Sequence, residues 1–204
     1  MAITRERFEQ GMTYDEYKAQ MTRNRERLEE NERTIVLSEE DVEFFKQLPQ
    51  PLDVLVLVED WCGDVVANVP VLARLAAESE KLNLRFFLRD QNLDLMDQYL
   101  NQGEFRSIPT FVFFDQDFNE LGHWIERPAA ITEMQREMLS ELFATDPALE
   151  GQSMGTSPAL LPEAARMHLG QAFGTFRAET REISDREVVR EIRDLLAQRF
   201  ETSE

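Results

Sequence analysis

The sequence predicts an α/β fold, and three observations predict it. Val54-Leu55-Val56-Leu57-Val58 is an unbroken aliphatic run, which suits a strand buried on both faces of a sheet. Residues 63–80 follow with helical periodicity in Val66, Val69, Ala73 and Ala76, and a second apolar run at 84–88 precedes a short helix over 92–102 closed by Gly103. That order, β-α-β-α, marks a parallel α/β arrangement. Two further strands, at 111–114 and 121–124, are joined by the polar turn Asp115-Gln116-Asp117-Phe118-Asn119. They read as an antiparallel hairpin, so the expected sheet is mixed and flanked by helices. A helix over about 130–143 closes the unit.

Helical segments are expected at both ends. Residues 3–32 read as one helix, with Thr13 and Glu16 at capping-box spacing and Tyr17, Met21, Asn24 and Leu28 forming a mostly apolar stripe. Ser38 with Asp41 opens a short helix carrying Val42, Phe45 and Leu48, which Pro49 and Pro51 stop. Beyond the Gly- and Ser-rich loop at 151–158, one helix carries Leu161, Ala165, His168, Ala172 and Phe176 on a stripe. A second opens with Ser184 and Glu187 as a capping box and carries Val188, Ile192, Leu195 and Leu196. The division expected is a helical extension over 1–34, a central domain over 35–145 and a C-terminal helical pair over 146–204.

Charge excludes several classes of partner. Forty acidic against 22 basic residues give a net charge of −18, a field that repels nucleic acid and anionic membrane. No apolar run approaches the roughly 18 residues of a membrane span, and MAITRERFEQ lacks the apolar core of a secretory signal. A cytoplasmic location is therefore expected. His123 and His168 stand without a nearby cysteine or clustered carboxylates, so no metal site and no cofactor are expected. The sequence holds one cysteine, Cys62, which excludes an intramolecular disulfide.

Three features coincide around that cysteine. Trp61-Cys62-Gly63-Asp64 lies where the first strand gives way to a helix, Pro70 falls eight residues later inside that helix, and Ser107-Ile108-Pro109-Thr110 leads into the third strand. At these residues the chain resembles the thioredoxin superfamily, whose members carry Trp-Cys-Gly-Pro-Cys at a strand-to-helix turn, a proline at the same offset, and Ile-Pro-Thr with a cis proline. Asp90-Gln91-Asn92 extends the match, and the resemblance covers about residues 35–143. Leu93-Asp94-Leu95-Met96-Asp97 and the stretch from Trp124 to Arg127-Pro128 bring it closer to a bacterial branch with Trp-Cys-Gly-Asp motifs. The resemblance implies a thioredoxin fold, with Pro109 beside the sulfur, Ile108 offering its backbone to an extended substrate, and Trp61 on the rim with Gly63 and Asp64.

A cysteine at the first turn of a helix faces unpaired N–H groups and the positive end of the dipole, which favours thiolate. Asp64 opposes this. A carboxylate ~6 Å from sulfur costs a thiolate about 0.7 kcal/mol at the dielectric of water and ~3 kcal/mol at an effective 20. Asp60 and Glu59 push the same way if near, Asp64 is also placed to cap the helix, and Arg106 and Arg127 flank the groove as candidate counter-charges. Val65 occupies the position of the resolving cysteine, and Val56 that of the buried acid which in the family serves that thiol. A mixed disulfide on Cys62 then needs an external thiol to resolve it. Two readings follow. One is monothiol exchange with a protein disulfide or a low-molecular-weight thiol. The other is a non-catalytic binding module that has inherited Cys62.

Overall fold

The computed structural model describes residues 3–201. Four strands form one mixed sheet in the order β2-β1-β3-β4. They are β1 (Leu52–Val58), β2 (Leu82–Leu88), β3 (Thr110–Phe114) and β4 (Glu120–Ile125). β1 pairs with β2 in parallel, Val56 opposite Phe86, and with β3 antiparallel, Val56 opposite Phe111. The β3–β4 hairpin turns on Asp115, whose carboxylate accepts the N–H groups of Asp117 and Asn119 at 2.9 and 2.8 Å. The α/β expectation and its mixed sheet are what the chain forms, and every side chain from Val54 to Val58 is buried.

The N-terminal stretch is not one helix but three: α1 (Arg5–Glu9), α2 (Tyr14–Gln20) and α3 (Arg25–Thr34). At Gly11 the chain passes so close to β2 that a Cβ would lie 2.6 Å from the Phe87 ring and 2.8 Å from Arg85 Cβ. Met12 then exchanges both backbone hydrogen bonds with Phe86, at 2.9 and 2.8 Å, so residues 11–12 leave the helix to lengthen the sheet. The second break spans Met21–Asn24, where Met21 is extended and Asn24 is left-handed at φ 56°. Asn24 thus leaves the apolar stripe, while Tyr17, Met21 and Leu28 remain in it, buried. The capping box of Thr13 and Glu16 forms as expected, and Ser38 caps α4 (Glu39–Lys46) through the N–H of Asp41.

α5 (Gly63–Ser79) follows β1 and carries Pro70 in its interior. The helix expected over 92–102 is much shorter. A 3-10 turn at Arg89–Gln91 leads into the single-turn α6 (Leu93–Met96). Beyond it the chain turns back on itself, Asn101 and Phe105 exchanging backbone bonds across a left-handed Gln102 and Gly103. The remaining helices are α7 (Ala129–Thr145), α8 (Glu163–Glu179) and α9 (Arg181–Glu201). Ser184 does not cap α9. It lies within the helix, its N–H donating to Thr180 O at 2.8 Å. On α8 the buried face uses Leu169, not His168, which is exposed and pairs with Asp146 at 2.8 Å.

Two compact units make up the chain, one built of the residues up to Arg127 together with those from Asp185 onward, the other of Pro128–Ser184. The first has its core on the sheet, where Val188, Val189, Ile192 and Leu196 of α9 join the strand side chains. Leu195 lies close enough to Gly122 of β4 that a Cβ there would meet it at 3.2 Å. The second is centred on Leu149, Leu161, Ala165 and Leu169, packed by Leu139, Leu142, Phe143 and Phe173. No described helix is long and apolar enough to cross a membrane.

Candidate functional site

β1 ends at Val58, and the next four residues carry the chain to the start of α5. Cys62 is the residue before that helix, with extended backbone (φ −82°, ψ 123°), and its carbonyl accepts the Val66 N–H at 3.2 Å. The half-buried thiol therefore sits at the positive end of a 17-residue helix. Its Sγ lies 3.4 Å from the carbonyl oxygen of Ile108, to which the thiol donates. The Ile108–Pro109 bond is cis. Cys62, Ile108 and Pro109 are thus brought together, with Gly63 as the first helical residue. Trp61 is 43% exposed at the rim, and the Arg89 guanidinium stands 4.9 Å over its ring.

Pro70 has no N–H, so the Val66 carbonyl one turn earlier in α5 loses its helical donor. Asn31 of α3 donates its side-chain amide to that oxygen at 2.8 Å. On the other side of the thiol, buried Asn68 of α5 donates to Glu126 O at 2.9 Å, and Glu126 N–H donates to Pro109 O at 2.7 Å. Asn101 donates to the Glu126 carboxylate at 2.9 Å and reaches Ser107 Oγ at 3.3 Å. Glu126, left-handed at φ 69°, thus ties the helix behind Cys62 to the proline loop in front of it.

The three carboxylates close to Cys62 in sequence are held in different ways. Glu59, buried, accepts the Asp90 N–H at 2.8 Å, and burial lifts its carboxyl above the ordinary value. Asp60 accepts from Thr22 N–H and Oγ at 2.7 and 2.9 Å and from Arg23 N–H at 3.0 Å. Burial works against its charged form, but these bonds outweigh burial and hold the carboxyl below its usual range. Asp64, in the first turn of α5, accepts from Arg127 Nη2 at 2.6 Å. Arg127 also pairs with Glu126, and its side chain is only 14% exposed. Burial opposes the guanidinium charge, yet Asp64, Glu126 and Cys62 together hold its proton more firmly than usual.

Arg127 is therefore a member of the site. Arg106 instead spends its charge at the surface on Asp97, at 2.7 and 3.0 Å. His123 contacts Glu120 at 3.1 Å, and among the described residues no group of three or more His, Cys, Asp or Glu is placed to hold a metal. The sequence pointed to the thiol, the proline segment and Arg127, but not to Asn31, Asn68, Asn101 or Glu126. Only Asn31 left a trace there, since Pro70 announces an unserved carbonyl without saying who serves it.

Residues 11–139 match the family model described as Thioredoxin. No curated protein matches this chain. Among solved structures, a protein of unknown function from Pseudomonas aeruginosa is similar at 20% identity and a TM-score of 0.61, over 87% of this chain and 96% of that one. An HIV epitope-scaffold is similar at 21% identity and a TM-score of 0.58, over 65% of this chain and 82% of the other. At these identities the two likenesses speak for the fold alone.

Proposed function

This chain belongs to the thioredoxin family, and we propose that within it the protein carries out monothiol thiol–disulfide exchange through Cys62 in the reducing cytoplasm. The observation that carries the reading is the placement of Cys62 Sγ at the N-terminus of α5, 3.4 Å from Ile108 O beside a cis proline. The Cys62 thiolate attacks one sulfur of a disulfide R–S–S–R′. A new Cys62–S–S–R bond forms, the old S–S bond breaks, and R′–S⁻ leaves with the electron pair. Val65 supplies no second thiol, so an external thiolate attacks the mixed disulfide and returns Cys62 to its starting state. Over this cycle R–S–S–R′ and one external thiolate R″–S⁻ become R–S–S–R″ and R′–S⁻. A second external thiolate attacking R–S–S–R″ releases R–S⁻ and completes the reduction, the two external thiols ending as a disulfide.

Exposed Trp61 beside the thiol, 43% accessible, favours a second reading in which this face binds a protein without chemistry. An aromatic disulfide separates the two. The exchange reading expects native protein to release one aromatic thiolate, to hold the adduct on Cys62, and to shed it only when a thiol such as glutathione is added. Cys62→Ser should release none. Native protein that reacts only after unfolding contradicts exchange, and peptide capture by Cys62→Ala at undiminished affinity supports the binding module.

A further inference from the structure

Cys62 becomes an anion in the proposed exchange, and the groups around it are mostly acidic. Glu59 and Asp60 precede it on the β1–α5 loop, Asp64 follows it in the first turn of α5, Glu126 just past β4 pairs with Arg127, and the buried Tyr17 phenol of α2 is kept neutral by burial and by Asp60, Glu59 and Cys62. Arg89 is occupied at the rim by Trp61, Asp90 and the Arg106 carbonyl. Arg127 is the cation tied into this cluster. Its backbone neighbour Glu126 is pinned to α5 through Asn68 and to the proline loop through Pro109 and Asn101. The guanidinium is therefore anchored to both walls of the thiol site.

A buried ion pair is a weak device for stability, because desolvation offsets most of the attraction. The Asp64–Arg127 pair has side chains 13% and 14% exposed, and Arg127 Nε is buried without a hydrogen-bond partner among the described residues. A pair kept for packing alone gains little from such an arrangement. A pair that governs charge at the head of α5 needs this burial, because water then screens neither member. Resting on the exchange reading above, we propose that Arg127 is a positioning residue for Cys62: it fixes and cancels the Asp64 carboxylate, so that the N-terminus of α5 meets the sulfur without an uncompensated negative charge.

Alkylation of Cys62 against pH in the full-length chain tests this through a charge-pair cycle. Arg127→Gln leaves Asp64 uncompensated and is expected to raise the thiol midpoint by about one to two pH units, slowing exchange at pH 7 about tenfold. Arg127→Lys, which keeps the charge, returns most of the loss. The double variant Asp64→Asn with Arg127→Gln, which removes both charges, falls within about half a unit of the native protein. A midpoint unchanged in Arg127→Gln, or raised equally in the double variant, overturns the proposal. If Arg127→Gln does not fold, Asp64→Asn is the decisive variant. Arg127, then opposed by Glu126 alone, lowers the midpoint by about one unit, and equality with the native protein overturns the proposal. The two readings fail separately. A native midpoint that is low but indifferent to these variants removes Arg127 alone, whereas a native midpoint of an ordinary thiol removes the exchange reading.

Discussion

Asp60 and Asp64 stand two residues to either side of Cys62, and the protein deals with their charges by opposite means. Asp60 is met by neutral donors, two backbone N–H groups and a hydroxyl from the Thr22–Arg23 bend. Asp64 is met by a guanidinium. Neutral donors satisfy a carboxylate's lone pairs and leave its charge in place, whereas a cation removes the charge as seen from a distance. The first arrangement docks a chain segment and the second sets a field. Disturbing the Asp60 side should therefore appear in stability, and disturbing the Asp64 side in thiol chemistry.

The largest expected effect is the shift of one to two pH units in Arg127→Gln described above, with little change in fold if the double variant is stable. Asp60→Ala should reverse the pattern. Losing three donors to one carboxylate is expected to cost about 2 kcal/mol in denaturant unfolding, while the thiol midpoint, relieved of an uncompensated charge, moves downward, opposite in sign to Arg127→Gln. The sign with pH follows from the lowered carboxyl. A group with a depressed folded-state value stabilises above its ordinary range, and that stability is lost as pH falls through the lowered value. Asp60→Ala should accordingly flatten the acid limb of the stability profile. A midpoint that rises as in Arg127→Gln would erase the distinction between the two flanks.

A smaller effect belongs to the back of α5. Asn31→Ala should cost about 1 kcal/mol, since it leaves the Val66 carbonyl without the donor that Pro70 already denies it. In a Pro70→Ala background residue 70 regains its N–H, and the cost of Asn31→Ala should shrink; an unchanged cost would show that Asn31 serves some other purpose. The measurement is a double-mutant cycle in denaturant.

What could be read from the sequence was what local pattern encodes. The apolar run of β1, the caps at Thr13 and Ser38, and the cysteine at a strand-to-helix junction all declare themselves within a few residues. The break at Gly11 did not, because its cause is the Phe87 ring on a strand far along the chain. Nor did the bend at Met21–Asn24, which exists because Asp60 collects its N–H groups. Ser184 and Glu187 misled in the other direction, since Ser-x-x-Glu also occurs inside helices and here the helix has already begun. For the site, the thiol and the proline loop were legible as motifs. Arg127 was legible only as a nearby cation, because the side chain it pairs with lies 63 residues away and charge pattern alone does not choose between Asp64 and the other acids.

The proposed exchange requires Cys62 to be a thiolate made available by its position despite three adjoining carboxylates. It is tested most directly by the alkylation rate of the native protein against pH, which no other thiol confuses because Cys62 is the only cysteine. Native protein is expected to react fast, with a midpoint below ~7.5. A midpoint at or above ~8.5, or no reaction until the chain unfolds, would contradict it.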